Sequence, residues 1–157
     1  MTGDAHDDRD GVRARPPFRF SITTRVEIAD TDLGAVVYYA RYPHFLDRAV
    51  VAYRRRLGIP PLGPEGHLFV VRTLEIEYLR SARFEQKLVV WVRTVRIGRT
   101  SHTMEFQIED AHTEAVALRA RQVIVGVSGY ADGRPTRVPA ELRERVVAFE
   151  GAELELA

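Results

Sequence analysis

The chain contains no cysteine, which excludes disulfide frameworks, thiolate zinc sites, iron–sulfur clusters and thiol nucleophiles. No apolar run approaches the roughly 20 residues of a membrane helix, so no membrane insertion is expected. The N-terminus lacks the apolar core of a secretory signal, and the expected compartment is the cytoplasm. An excess of one charge is missing too: 23 basic against 22 acidic side chains leave +1, which argues against a nucleic-acid protein that neutralises phosphates. Lysine is almost absent, Lys87 being the only one. The arginines are interleaved with acids in no single-sign block, as on a solvated surface.

Several catalytic signatures are also missing. Gly126-Val127-Ser128-Gly129 has the wrong spacing for a nucleophile elbow. There is no phosphate-binding glycine loop, and Gly98-Arg99 lacks the glycines of a dinucleotide fingerprint. His6, His44, His67, His102 and His112 are scattered without metal-ligand spacing, so no metal is expected. His102, on an alternating stretch, reads as a core or interface histidine.

What is present suits one domain. The 157 residues are 45% apolar and 29% charged, the balance of a soluble globular protein. Residues 1–17 hold four Asp, three Arg and the pair Pro16-Pro17. They carry almost no bulky apolar residue and are expected to form a flexible tail ahead of a domain over 18–150. Phe18 to Ile28 alternates as a half-buried strand, and Asp30 to Val37 is a loop. From Tyr42 to Leu57, Phe45, Leu46, Ala49, Val50 and Tyr53 recur at spacings of three and four. This predicts an amphipathic helix with Arg54 and Arg55 toward solvent, ended by Gly58 and Pro60-Pro61. Four strands follow, over Leu68–Leu79, Leu88–Ile97, His102–Ile108 and Ala115–Val127. The run Val123-Ile124-Val125 marks the last as an inner, two-sided strand. Leu142, Val146 and Phe149 predict a short final helix.

The fold class is therefore α+β, with one long helix covering the apolar face of five antiparallel strands. A helix of about 24 Å cannot also cover the sheet edges. An edge strand is expected to pair with a second copy.

The remaining chemistry lies in Asp30-Thr31-Asp32-Leu33-Gly34-Ala35-Val36-Val37-Tyr38-Tyr39. Carboxylates sit in an apolar loop just before the only long helix, whose N-terminus offers free N–H groups and a partial positive charge. Two readings stand on the loop alone. Asp30 and Asp32 cap a turn, or a carboxylate and the helix amides form an acyl-transfer site, with the acid as nucleophile or base and the amides as oxyanion donors.

The stretch DTDLGAVVYYARYPHFLDRA (Asp30–Ala49) resembles the signature of hotdog-fold thioesterases of the 4-hydroxybenzoyl-CoA thioesterase type, which include the acyl-CoA thioesterases associated with the Tol–Pal system. The resemblance continues through FVVRTLEIEYLRSARFEQKLVV (Phe69–Val90) and RIGRTSHTMEF (Arg96–Phe106). It implies a hotdog fold, a five-stranded antiparallel sheet wrapped around one long helix and dimerising edge to edge, as a homodimer or homotetramer. It also implies hydrolysis of an acyl-CoA or acyl-carrier-protein thioester with no bound cofactor. Asp32 stands where the family has its catalytic carboxylate, and Tyr39 where the backbone N–H serves the thioester carbonyl. Gly34, Val37, Tyr38, Arg83, Arg99, Thr100 and Ser101 fall on substrate-lining segments. Tyr39 replaces a histidine common there, Ala35 a glycine and Asp47 a glutamate. The Cβ of Ala35 is expected to hold that position to ordinary backbone angles. Hotdog domains also host dehydratases and non-catalytic acyl-binding proteins. A dehydratase would oppose a histidine to its carboxylate, and His44 and His102 match no such motif.

Overall fold

The computed structural model describes residues 15–131 and 133–157. Its elements follow the expected order: β1 (Ser21–Arg25), α1 (Tyr42–Arg56), β2 (Leu68–Tyr78), β3 (Lys87–Ile97), β4 (Ser101–Asp110), β5 (Val116–Val127), α2 (Ala140–Glu150) and a two-residue β6 (Glu155–Leu156). The five long strands pair antiparallel in the order β1-β3-β4-β5-β2, and β6 adds a short parallel rung to β3. β5 lies between β4 and β2, as its unbroken apolar run predicts. Among the described residues β2 has a strand neighbour on one side only and is an edge.

α1 forms because its apolar residues fall on one stripe. Phe45, Leu46, Ala49, Val50 and Tyr53 are all buried against Val90, Val92, Met104, Phe106 and Leu118 of the sheet. Pro43 suits the first turn, where a missing N–H costs nothing. Gly58, at φ +71°, ends the helix in the left-handed region and donates to the Arg55 carbonyl at 3.0 Å. Arg55 is exposed, but Arg54 is half-buried. Four residues beyond Val50, it lies on the flank of the apolar stripe. Its guanidinium sits 5.3 Å over the Phe69 ring and donates to the Pro61 carbonyl at 3.1 Å, a stacked arrangement that suits guanidinium.

Two strand boundaries differ from the periodicity. β1 stops at Arg25, and Ile28–Asp30 form a 3-10 turn with Ile28 exposed. Alternation continued past the point where the chain leaves the sheet. At the other end, residues 1–14 of the expected tail lie outside the described residues. Arg15–Pro17 are placed: Arg15 bridges to Phe18, ion-pairs with the buried Glu109 and lies 5.1 Å over the Trp91 ring. Phe18, Val89 and Trp91 thus form a small cluster apart from the main core. It explains why β3 is apolar on successive residues.

α2 closes the structure through a buried polar contact. Glu150 accepts from the Tyr53 hydroxyl at 2.5 Å and the Thr94 N–H at 2.9 Å, while Phe149 packs on the Tyr53 ring at 5.8 Å. Burial raises the pKa of both Glu150 and Tyr53.

The helix face is tested by Phe45→Ala. With Phe45 in the middle of the core, urea denaturation is expected to show a loss of about 3–5 kcal/mol. A loss below about 1 kcal/mol would place Phe45 elsewhere.

Candidate active site

The connection between β1 and α1 is a small hairpin of its own. The Tyr38 N–H donates to the Asp30 carbonyl at 2.9 Å, Thr31 pairs with Val37, and the Asp32 N–H donates to the Val36 carbonyl at 2.9 Å. The Ala35 N–H closes the tip on the Asp32 carbonyl at 3.0 Å. Asp32 and Gly34 therefore occupy the tip, and Tyr39 lies past the base, where the chain enters α1.

The two acids have different surroundings. Asp30 is 6% exposed. Its carboxylate accepts from the Glu27 N–H at 2.9 Å and lies 3.3 Å from the Arg41 guanidinium. One side chain thereby ties the end of β1 to the start of α1. Asp32 is exposed, and its Oδ1 accepts from the Gly34 N–H at 2.7 Å, an Asx turn. Its Oδ2 has no hydrogen-bond partner among the described residues. A Cβ at Gly34 would stand 3.2 Å from Asp32 Oδ1, so glycine permits this close approach. Ala35 takes φ +56°, contrary to the expectation of ordinary angles. The closed tip imposes a left-handed residue at a cost of order 1 kcal/mol.

Neighbouring segments hold the hairpin in place. Val36 bridges to Arg83, the Val37 N–H donates to the Ala82 carbonyl at 2.8 Å, and the Phe84 N–H donates to the Ala35 carbonyl at 3.1 Å. The turn around Arg83 is fixed in its own right: Gln86 Oε1 accepts from the Arg83 N–H at 2.8 Å, and Gln86 Nε2 donates to Asp110 at 2.6 Å. Asp110 also accepts from the Thr113 and His112 N–H groups, and these bonds, led by that of Thr113, pull its pKa down to about 2. Arg80, Ser81, Arg83 and Gln86 line an open cleft of about 370 Å³ there.

Tyr39 opens a 3-10 turn, Tyr39–Arg41, that runs directly into α1. Its N–H has no acceptor among the described residues, as at any helix start. The Tyr78 hydroxyl donates to the Tyr39 carbonyl at 3.0 Å and the Tyr42 hydroxyl accepts from the Ala82 N–H at 3.0 Å. Tyr38, Tyr39, Tyr42 and Tyr78 form a chain of ring contacts with centroids 4.7–6.4 Å apart. The anchoring roles of Tyr42 and Tyr78 are not visible in the sequence, where Tyr42 marks only a helix start and Tyr78 only a place in a strand alternation.

Asp32, Gly34, Val37, Tyr38, Tyr39 and Arg83 are thus gathered at one end of the sheet. Arg99, Thr100 and Ser101 are not with them. They form the turn at the opposite end of β3, about 30 Å along an 11-residue strand, where the Gly126 N–H donates to Thr100 and the Val138 N–H to Arg99. Among the described residues no three acidic or histidine side chains converge as a metal site would require. None of the described helices is long and apolar enough to cross a membrane.

His102 is buried beside Phe69, ring centroids 5.6 Å apart, on the same end as Arg99. Burial, and then the nearby Arg54 and His67, pull its pKa down to about 3.

Residues 34–117 match the family described as the thioesterase superfamily. The acyl-CoA thioesterase YbgC of Haemophilus influenzae is 43% identical over 74 residues, covering 45% of this chain and 54% of that protein. The match thus spans about half the length of that relative. The acyl-CoA thioester hydrolase YbgC of Escherichia coli is 33% identical over 110 residues, covering 69% of this chain and 79% of that protein. Among solved structures, a Thermus thermophilus thioesterase complexed with coenzyme A and Zn superposes with a TM-score of 0.75 at 32% identity, over 87% of this chain and 98% of that one. A probable thioesterase from Bartonella henselae gives 0.68 at 32% identity, over 76% and 98%.

The buried imidazole predicts a pH dependence. Folded His102 stays neutral down to about pH 3, whereas the unfolded chain takes up the proton near pH 6.5. Its contribution is fully present above pH 6.5 and is lost as pH falls toward 3, at up to about 1.4 kcal/mol per pH unit. Chemical denaturation between pH 7 and 4 is expected to show wild type losing stability more steeply than His102→Gln, by about one proton. Parallel slopes would contradict this.

Proposed function

The chain belongs to the thioesterase superfamily, with its hotdog fold, and from that premise we propose that it is an acyl-CoA thioesterase of the 4-hydroxybenzoyl-CoA type. The observation that carries the reading is the contrast between the two acids of one hairpin. Asp30 is consumed in holding the loop, while Asp32 keeps one carboxylate oxygen unengaged at the exposed tip. On this reading Asp32 attacks the thioester carbonyl, the C–S bond breaks to release the thiol and water opens the resulting mixed anhydride, or Asp32 takes the proton of a water that attacks and passes it to the departing thiolate. The Tyr39 N–H and the positive end of α1 receive the developing oxyanion. No step calls on a metal or a bound cofactor. Gly34, Val37 and Tyr38 flank the acyl group, and Arg83 suits coenzyme A phosphates at the mouth of the cleft. The names of the YbgC relatives, acyl-CoA thioesterase and acyl-CoA thioester hydrolase, support coenzyme A over a carrier protein.

The proposal includes a dimer joined along β2. Antiparallel pairing of β2 with its copy sets the Leu68 end of one strand beside the Tyr78 end of the other. The Arg99–Ser101 turn, two strands behind Leu68, then lies on the side of the partner's Asp32 loop, so substrate contacts from that turn come from the second copy.

Two variants of equal chemistry test the carboxylate. Free-thiol release at saturating acyl-CoA is expected to fall at least ~10²-fold in Asp32→Asn, the lower end of what a positioned base contributes, with the circular dichroism spectrum unchanged. Asp30→Asn is expected to lose stability rather than chemistry, because it weakens a buried pair. Near-normal turnover in Asp32→Asn alongside an inactive, folded Asp30→Asn would assign the reaction to the wrong acid.

A further inference from the structure

At the opposite end of the sheet from Asp32, a second cavity of about 520 Å³ lies between the C-terminal half of α1, the segment from Pro61 to His67 and the first residues of β2. Most of its wall is apolar: Val50, Val51, Phe69, Val70 and Ile124. Its polar groups are unusual in what they lack. Arg41 and Arg93, also partly buried, each hold a carboxylate, Asp30 and Glu105. Arg54 lies within ion-pair distance of no acid among the described residues. One nitrogen donates to the Pro61 carbonyl and the plane lies over Phe69, which leaves most of its five donors open. Two exposed acids line the groove as well: Glu65 in the 61–67 segment, and Asp47 seven residues and about 10 Å back along α1. Partial desolvation raises the Asp47 pKa, opposed by the nearby His44.

Two further polar side chains share this cavity wall without partners. Gln122 is 4% exposed and its Oε1 has no hydrogen bond, and neither does the buried His67 Nε2. Gly126 makes room for His67, since a Cβ there would stand 2.6 Å from Nε2. The open donors of a partly buried guanidinium in an apolar cavity carry a desolvation cost that a bound anion would offset, whereas Gln122 Oε1, an acceptor, calls for a proton donor. The planar fork of arginine matches a carboxylate.

We propose that this groove is a subsite for an aliphatic carboxylate, the chain lying along Val50, Val51 and Phe69 and the carboxylate bound by the Arg54 guanidinium. Two sources share that chemistry: the far end of a dicarboxylic acyl group, or a free carboxylic acid. The first rests on the thioesterase reading and on the β2 pairing, which brings the groove to the partner's Asp32 loop.

The probes are adipate, adipoyl-CoA and hexanoyl-CoA, the last two differing only in the terminal carboxylate. Calorimetry is expected to show adipate binding to the full-length protein, weakened at least tenfold in Arg54→Met and less in Arg54→Lys, which keeps charge and stem but loses the fork. Arg55→Met, an exposed neighbour, should bind adipate as wild type does. If the acyl terminus is the source, adipoyl-CoA shows a KM at least tenfold below that of hexanoyl-CoA, and Arg54→Met abolishes the difference. If a free acid is the source, adipate binds while the two KM values are alike. No adipate binding by wild type, or equal binding by a folded Arg54→Met, overturns the subsite. Failure to cleave either thioester overturns the thioesterase reading and leaves the calorimetric result to stand alone.

Discussion

Five strands present one apolar face, and among the described residues a single long helix covers it. Burial of Phe45, Leu46, Ala49, Val50 and Tyr53 against β3, β4 and β5 fixes the axial position and the roll of α1, because core packing tolerates little slippage. Once α1 is seated, the place where its first turn meets the sheet is fixed as well. The chain then has to join the end of β1 to that point within the 16 residues from Val26 to Arg41. The Asp30–Val37 hairpin is the solution to that requirement, and the proposed chemistry takes place on it.

The hairpin is held on three sides by different forces. The Asp30 carboxylate links the Glu27 N–H to the Arg41 guanidinium. Backbone bonds tie Ala35 and Val37 to the 82–84 segment, and the Tyr78 hydroxyl reaches the Tyr39 carbonyl. Because these contacts involve Asp30, backbone groups and tyrosines, the Asp32 side chain carries little structural duty beyond its bond from the Gly34 N–H, and the proposed function draws on its other carboxylate oxygen. Pre-organisation of this kind is what an oxyanion site needs, since donors that must reorganise during reaction contribute less. The left-handed Ala35 adds a small amount of backbone strain at the tight turn on which the proposed chemistry takes place.

Much of this was legible in the sequence. Period-two and period-three-to-four spacings located all five long strands and both helices, because each element buries one face and the burial dictates the pattern. The proposed pairing of Asp32 with the Tyr39 amide came from the family resemblance of residues 30–49, since the loop by itself left the choice between a turn cap and a reacting acid open. Less legible were features created by long-range contact. Arg54 looked solvated because helical spacing does not reveal Phe69 alongside it, and Ile28 kept the strand alternation after the chain had left the sheet. The anchoring of the site by Tyr78 and Tyr42, and the distance of Arg99–Ser101 from it, depend on strand order and register, which local pattern does not encode.

The central claim is that a thioester carbonyl sits between Asp32 and the Tyr39 N–H, and amide chemical shifts report on this without any substitution. The measurement is a titration of the nitrogen-15-labelled protein with a non-cleavable acyl-CoA ketone analogue, in which a methylene replaces the thioester sulfur. The account predicts that the Tyr39 amide proton moves downfield as it gains a carbonyl acceptor, and that the largest changes fall within residues 30–42 and 82–84. Saturable binding that leaves the Tyr39 amide unmoved, with the changes concentrated elsewhere, would contradict it.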